Sequence, residues 1–297
     1  MNETSPPPVV DPSGITEIAD GVWVIPDRRV PLVPNVGIVL GDDAALVVDT
    51  GMGPANGRRV LDAAREKTGS RRLLLTLTHF HPEHGFGAQA FTGEATSVVN
   101  ASQAFELREK GEAYLGMFRT FGPAVEAALE GVELVEPDET YESSTAIDLG
   151  GRTVRLREHG LAHTRGDQVA IVEDVAVLFA GDLVEEGCFP IFPYFPPDDV
   201  DVDGSAWIRV LEQLESLAPR VVVPGHGEVG DASVIATQRA FMETMRADSF
   251  AAADAGWSAD DAVAELEPEL HGLHPDWAQP EWVAFGIRSF HAERRRD

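Results

Sequence analysis

LLLTLT-HFHPEH, residues 73–84, decides how this chain reads. The first six residues have the length and composition of a buried strand. They run straight into His79, Phe80, His81, Pro82, Glu83 and His84. His79 and His81 lie two residues apart in a segment leaving a strand, so their rings can fall on one side. His84, beyond Pro82 and on a turn, can face the other way. That arrangement can serve two metal ions a few ångströms apart. Two such ions can share one hydroxide, lower its pKa towards ~7 and polarise a carbonyl.

The same event recurs along the chain. AALVV (44–48) runs into Asp49-Thr50-Gly51, and TVRLRE (153–158) into His159-Gly160-Leu161-Ala162-His163. VAVLFA (175–180) runs into Gly181-Asp182, and VVV (221–223) into Pro224-Gly225-His226-Gly227. In open α/β sheets, sites form outside the carboxyl ends of strands. Five strand ends side by side would bring histidine and acidic residues to one edge. Imidazole and carboxylate donors without thiolate suit zinc, iron or manganese, in an open catalytic site rather than a closed structural one.

Further strand-like runs are GVWVIP (21–26), VGIVL (36–40), ELVEP (133–137) and VAIV (169–172), with turns at 41–43 and at Glu173-Asp174. Helical patterns cover 55–67, 102–129 with a break at Gly122-Pro123, and 205–217. After Gly230 only helices are expected, over 232–250, 258–268 and 280–295. Strands interleaved with helices indicate an α/β fold. Residues 1–13, with Pro6, Pro7 and Pro8, read as a disordered tail. A catalytic domain over 14–230 and a C-terminal helical extension over 231–297, packed on it, complete the expected organisation.

Composition narrows the function. The 297 residues carry 50 acidic and 23 basic side chains, a formal charge of −27, with 43% hydrophobic and 25% charged residues. Such a charge repels phosphate backbones and anionic lipid, so nucleic-acid and membrane-surface partners are not expected. No apolar run approaches the ~18 residues of a membrane span. One cysteine, Cys188, excludes an internal disulfide and any cysteine-rich zinc module. A cytoplasmic location is expected, and a homodimer is allowed.

Taken in order, D-T-G, T-H-F-H-P-E-H, A-H-T at 162–164, A-G-D at 180–182 and P-G-H-G at 224–227 resemble the metallo-β-lactamase superfamily over roughly residues 14–230. The resemblance implies a four-layer αββα sandwich with the site at one edge. It implies that His79, His81 and His163 hold a first metal, that Asp182 bridges, and that His84 and His226 hold a second with Glu83. Asp49 would brace the histidine loop from behind. The implied activity is a metal-dependent hydrolase, with two zinc ions, whose metal-bound hydroxide attacks a thioester, lactone, ester or β-lactam of a small molecule; the chain's aromatic segments favour a substrate with an apolar portion. Glu83 or Asp182 would orient the nucleophile and pass its proton onward.

Glu83 departs from the family pattern, which has Asp there. The extra methylene lengthens the arm by roughly 1.5 Å, against metal–oxygen distances of about 2.0–2.2 Å. The second site should then be occupied but weaker, or Glu83 accepts a hydrogen bond instead of binding. The altered residue also makes a mononuclear-iron enzyme similar to the superfamily's sulfur dioxygenases thinkable, on His79, His81, His163 and Asp182. A non-catalytic metal-binding module is the third reading, and the intact donor set argues against it.

Other features carry bland readings beside sharp ones. Asp199, Asp201, Asp203 and Gly204 mimic the start of a calcium loop, but position twelve is Val210 where that loop needs Glu, so an acidic helix cap is favoured. CFPIFPYFPP (188–197) is either packing or an apolar substrate wall, and the 102–129 helix, with Tyr114, Met117, Phe118 and Phe121, either core or lid. His159 is a lesser ligand candidate than His163. Cys188, His271, His274 and His291 are taken as structural, and Arg165 could pair with a substrate carboxylate.

Overall fold

A computed structural model describes residues 6–296. Its first sheet carries seven strands in sequence order: β1 (Thr16–Ala19), β2 (Val22–Ile25), β3 (Val36–Leu40), β4 (Ala44–Val48), β5 (Arg72–Thr76), β6 (Ala95–Asn100) and β7 (Glu139–Tyr141). Among them run α1 (Gly53–Thr68), the single turn α2 (Pro82–Gly85), α3 (Ala101–Arg119) and α4 (Pro123–Ala128). The second sheet has the order β12-β11-β10-β9-β8, from β8 (Ser144–Asp148), β9 (Thr153–Gly160), β10 (Asp167–Val172), β11 (Val177–Gly181) and β12 (Val221–Pro224). Helix α5 (Gly204–Ser216) precedes β12, and α6 (Ala232–Asp254), α7 (Ala259–Leu273) and α8 (Trp282–Arg296) follow it.

Side-chain alternation builds the layers. In β4, Leu46 and Val48 face the second sheet, while Ala45 and Val47 face α1 with its Val60, Leu61 and Ala64. In β11, Val177 and Phe179 point between the sheets, and Leu178 and Ala180 point at Trp207 and Leu211 of α5. Strands covered on both faces read as unbroken apolar runs, which AALVV and VLFAG are. Gly37 has no Cβ because the Phe179 ring of the opposite sheet fills that space. The result is helix, sheet, sheet, helix: the expected four-layer sandwich. Helices α6 and α8 share the outer apolar cluster of the second sheet, with Ile235, Phe241, Met245, Ile287 and Phe290 packed around Trp207. No helix among the described residues is long and apolar enough to cross a membrane.

Three local expectations change. Residues 1–5 of the expected tail lie outside the described residues; Pro8 and Val10 are buried, and Asn56 of α1 holds this stretch through Val10 N to its Oδ1 (3.0 Å) and its Nδ2 to Pro8 O (2.7 Å). Second, residues 133–137 form no strand, because the edge of β6 is occupied by β7, with Val98 opposite Glu139. Third, β1, β6, β7 and β8 are strands that composition did not signal.

Candidate metal centre

Parallel pairing sets the site. Strands β4 and β5 run in register from Ala44 opposite Arg72 to Val48 opposite Thr76, so Asp49 and the 77–84 segment leave one sheet together. Strands β11 and β12 are likewise parallel, with Gly181 opposite Pro224, so Asp182 and His226 leave the other sheet together. His163 follows β9 on the same edge. The five strand ends therefore come from two sheets, and the site straddles the sandwich.

Two donor groups result. His79, His81, His163 and Asp182 each place one donor atom within 4.8 Å of all the others, and so do Glu83, His84, Asp182 and His226. Asp182 belongs to both. Its Oδ2 lies 3.9 Å from His79 Nε2, 3.8 Å from His163 Nε2 and 3.7 Å from His226 Nε2, and its Oδ1 lies 3.0 Å from His84 Nε2. All seven side chains are buried. Yet Asp182 Oδ2, Glu83 Oε2, and Nε2 of His79, His81 and His226 make no hydrogen bond. Buried polar atoms left without partners call for an ion or water, and this nitrogen and carboxylate set suits a divalent cation.

The outer atoms of these rings are fixed. Asp49 Oδ2 is 2.9 Å from His84 Nδ1, while Thr78 N and Oγ1 donate to Asp49. Asp49 sits at φ +68°, a left-handed conformation that asparagine and aspartate tolerate best among non-glycines. His163 Nδ1 donates to Ile191 O (2.9 Å) and His226 Nδ1 to Val33 O (2.9 Å). Each contact leaves Nε2 facing inward, which is how outer partners orient metal-binding imidazoles. Gly225 is required for close approach: a Cβ there would strike Asp182 Oδ1. An Asp49→Asn protein is expected to lose about 10- to 100-fold in metal affinity, because the amide cannot keep the ring oriented with a charge. Competition with a chromogenic chelator measures this, and wild-type affinity would refute the bracing role.

Electrostatics follow from burial. Burial pushes His79 and His81 well below the usual histidine range, and brings His163 to about 4. These rings are neutral at pH 7 and able to donate a lone pair. Burial also opposes charge on His84 and Asp182, but their mutual attraction, with Asp49 added, holds His84 well above and Asp182 well below their ordinary values. A cation bound at His84 Nε2 competes with that proton. Burial raises Glu83, with nearby His84 opposing.

For His163 the unfolded chain binds a proton between pH ~4 and ~6.5 that the folded protein refuses, so stability rises with pH through this window and is lost on acidification. Metal-free His163→Asn protein is expected to lose less stability between pH 6.5 and 4.5 than wild type, by up to about 1.4 kcal/mol per pH unit. Urea unfolding with chelator at both pH values checks it; equal slopes would count against it.

The remaining candidates fall elsewhere. His159 belongs to neither donor group. Asp203 caps α5, accepting from Ala206 N at 2.7 Å, and Asp199 and Asp201 bind Lys110 at 3.1 and 2.9 Å, so this stretch is a cap and clamp. Arg165 is paired with Asp201. Phe189 and Phe192 are core residues, packed on Phe241 and on Trp207 with Phe290, so the packing reading holds for them. Tyr114 of α3 stacks on His81, centroids 5.1 Å apart and planes at 19°. Cys188 is buried; His271 and His291 bond to Pro280 O and Trp257 O, and His274 stacks on Trp277.

Sequence reasoning passed over three buried residues. Asn35 Nδ2 donates to Pro224 O and Gly227 O, tying the 26–35 loop to the His226 turn. Glu106 Oε2 accepts from Gly166 N beside the His163 loop. Glu185 accepts from Ile191 N, whose carbonyl receives His163. Asn35 and Glu106 have no local signal, since the partners of Asn35 lie 189 and 192 residues away and that of Glu106 lies 60 residues away.

Comparison with known proteins agrees with this geometry. The family model described as metallo-beta-lactamase superfamily matches residues 29–226. The chain is 25% identical over 224 residues to the acyl-coenzyme A thioesterase MBLAC2 of Homo sapiens, covering 70% of this chain and 79% of that one. It is 28% identical over 205 residues to the Gallus gallus protein of the same name, covering 65% and 72%. In structure, a metallo-beta-lactamase from Pontibacter korlensis superposes with a TM-score of 0.60 at 20% identity, over 77% of this chain and 98% of that one. The sec-alkylsulfatase Pisa1 from Pseudomonas sp. superposes with a TM-score of 0.71 at 15% identity, over 94% of this chain and 50% of that one. Both structural likenesses speak to fold alone. With this donor set, the chain is a metal-dependent hydrolase, and the mononuclear-iron and non-catalytic readings are not favoured. It belongs to the metallo-beta-lactamase superfamily.

Proposed function

We propose that this chain is a two-metal hydrolase of acyl thioesters. The observation that carries the reading is the pair of complete donor groups sharing Asp182; the similarity to proteins named acyl-coenzyme A thioesterase supports the substrate class. His79, His81 and His163 would hold one cation, Glu83, His84 and His226 the other, and Asp182 both. Zinc suits these donors, with iron or manganese as the alternatives. When bound, the cations supply Lewis acidity and a water acidic enough to attack at neutral pH.

The chain's own groups do the rest. Buried Glu83, with its raised pKa, is suited to take the proton of the attacking water and pass it to the departing thiolate. Asp182 fixes the separation of the two groups. Tyr114, kept neutral by burial and by nearby Asp199, joins Phe118 and Phe121 in an apolar flank for the acyl group. The buried, unpaired Cys188 fits a reducing, cytoplasmic setting, and a homodimer is compatible.

Electrostatics sharpen the choice of substrate. At a formal charge of −27 the protein repels the phosphates of coenzyme A over a Debye length. The acyl group and thioester, rather than the nucleotide, should then carry recognition. Zinc-loaded protein is expected to hydrolyse an acyl N-acetylcysteamine thioester with kcat/KM within about tenfold of the acyl-coenzyme A, and both at least about a hundredfold faster than a chromogenic cephalosporin. Raising salt from 20 to 300 mM should increase kcat/KM for the coenzyme A ester and leave the neutral one flat. Absence of thioester turnover at full metal content would overturn the proposal. A fall in coenzyme A turnover with salt would overturn recognition through the acyl group.

A further inference from the structure

A cavity of about 210 Å³ lies behind the metal-binding loop, on the helix-covered face of the first sheet. Its floor includes Phe80, between His79 and His81, and Leu77 and Phe86, which flank the histidine segment, and β6 contributes Ala95 and Val99. Gln103, from the first turn of α3, also lines it. That residue is 2% exposed, and neither its amide oxygen nor its amide nitrogen has a hydrogen-bond partner. A buried amide with both functions unmet is rare in a folded protein.

Ordered water is a poor answer to it. A buried water needs two to four polar partners, but the nearby Ser97 hydroxyl already donates to Asp138 Oδ2 at 2.8 Å, and the rest of the wall is mainly apolar. The outer wall is the irregular segment 132–138, which covers the cavity like a strap. Gln89 holds one end through Gly131 O and Glu133 N, and the Ser97–Asp138 pair holds the other. Between these clamps, residues 134–137 make no backbone hydrogen bond among the described residues. A segment with so few ties can open at low cost.

We infer that this cavity is a binding site for a neutral carboxamide carrying an alkyl or aryl chain, separate from the metal centre. An amide offers one donor and one acceptor, the complement of the Gln103 amide. The exposed acids of the strap, Glu133, Glu136 and Asp138, disfavour a carboxylate of the same shape. An apolar cavity of about 150 Å³ holds benzene, so this one suits a chain of about six to eight carbons. Its occupant would touch the Phe80 ring, which packs at 4.9 Å against both His81 and Tyr114. The site does not depend on which substrate the metal centre hydrolyses.

Thermal unfolding and calorimetry of the zinc-loaded full chain test this with octanamide and octanoate as probes. Octanamide at about a hundred times its Kd is expected to raise Tm by about 4 °C, and octanoate to bind at least tenfold more weakly. Gln103→Leu removes the unmet amide, so this variant should have a higher basal Tm and an octanamide affinity at least tenfold lower. Ala95→Phe places a ring in the cavity and should abolish the shift. No octanamide binding to wild type, equal binding to Gln103→Leu, or binding retained by a folded Ala95→Phe would overturn the inference. So would a lowered Tm for Gln103→Leu, which would make Gln103 a structural residue, and octanoate binding as tight as octanamide would overturn the neutral ligand. Should Ala95→Phe not fold, Gln103→Leu decides alone.

Discussion

An Asp182→Asn protein is expected to keep its fold, bind neither cation tightly and lose at least about a thousandfold in kcat/KM, on the order of 4 kcal/mol of barrier. The effect is large because one carboxylate serves two groups. Its oxygens lie 3.0 Å from His84 Nε2 and 3.7–3.9 Å from the Nε2 atoms of His79, His163 and His226. An amide has the same shape but no charge, and its NH₂ cannot donate a lone pair to a metal. The group facing the amide nitrogen would thus fall from four donors to three, and the other would keep only a neutral carbonyl oxygen in place of the charge, while the imidazoles stay in place. Metal content by mass spectrometry after gel filtration, with thioester hydrolysis in excess zinc, measures both losses. Two retained equivalents would show that Asp182 is not shared. An unchanged near-ultraviolet spectrum guards against mistaking unfolding for metal loss.

The candidate donors were legible because most of them follow closely on an apolar run. A run such as AALVV is buried on both faces, so its end marks the sheet's edge, and a histidine or acid there lies where such edges form sites. What those runs could not say is which sheet holds them. Strands β4 and β5 belong to one and β11 and β12 to the other, yet these four are apolar strands of four or five residues; β9, also in the second sheet, alternates instead as TVRLREHG. Short polar strands were invisible for a related reason: β7 (ETY) and β8 (STAID) sit at sheet edges, and among their residues only Ile147 is buried. ELVEP misled in the opposite sense. Its Leu134 and Val135 are half-buried against the cavity behind the metal loop, not paired in a sheet. Asn35 and Glu106 stayed hidden because they act on backbone atoms of loops remote in sequence, and no spacing rule encodes that; Glu185 bonds only six residues onward, to Ile191 N, inside a loop with no regular period.

Glu83 provides the most discriminating substitution, because shortening its arm and removing its charge have different consequences. The structure directs its carboxylate into the group formed by His84, Asp182 and His226. The α2 backbone beneath it cannot follow a shorter side chain. Thr50 N and Oγ1 both donate to His84 O at 2.8 Å, and Gly57 of α1 packs against the Gly87 backbone with no room for a Cβ. Glu83→Asp therefore withdraws the oxygens by roughly 1.5 Å, a large part of a 2.0–2.2 Å metal–oxygen bond. Second-cation affinity is expected to fall about 10- to 100-fold, with the first cation unaffected. Glu83→Gln should lose similar affinity, and about 10²- to 10³-fold in kcat even at saturating metal, because the amide cannot take a proton from the attacking water. Stepwise chelation of zinc-loaded wild type should remove one equivalent before the other. Two equivalents leaving together would equalise the sites, and a Glu83→Asp protein that binds both as wild type does would show that the carboxylate accepts a hydrogen bond instead of holding metal.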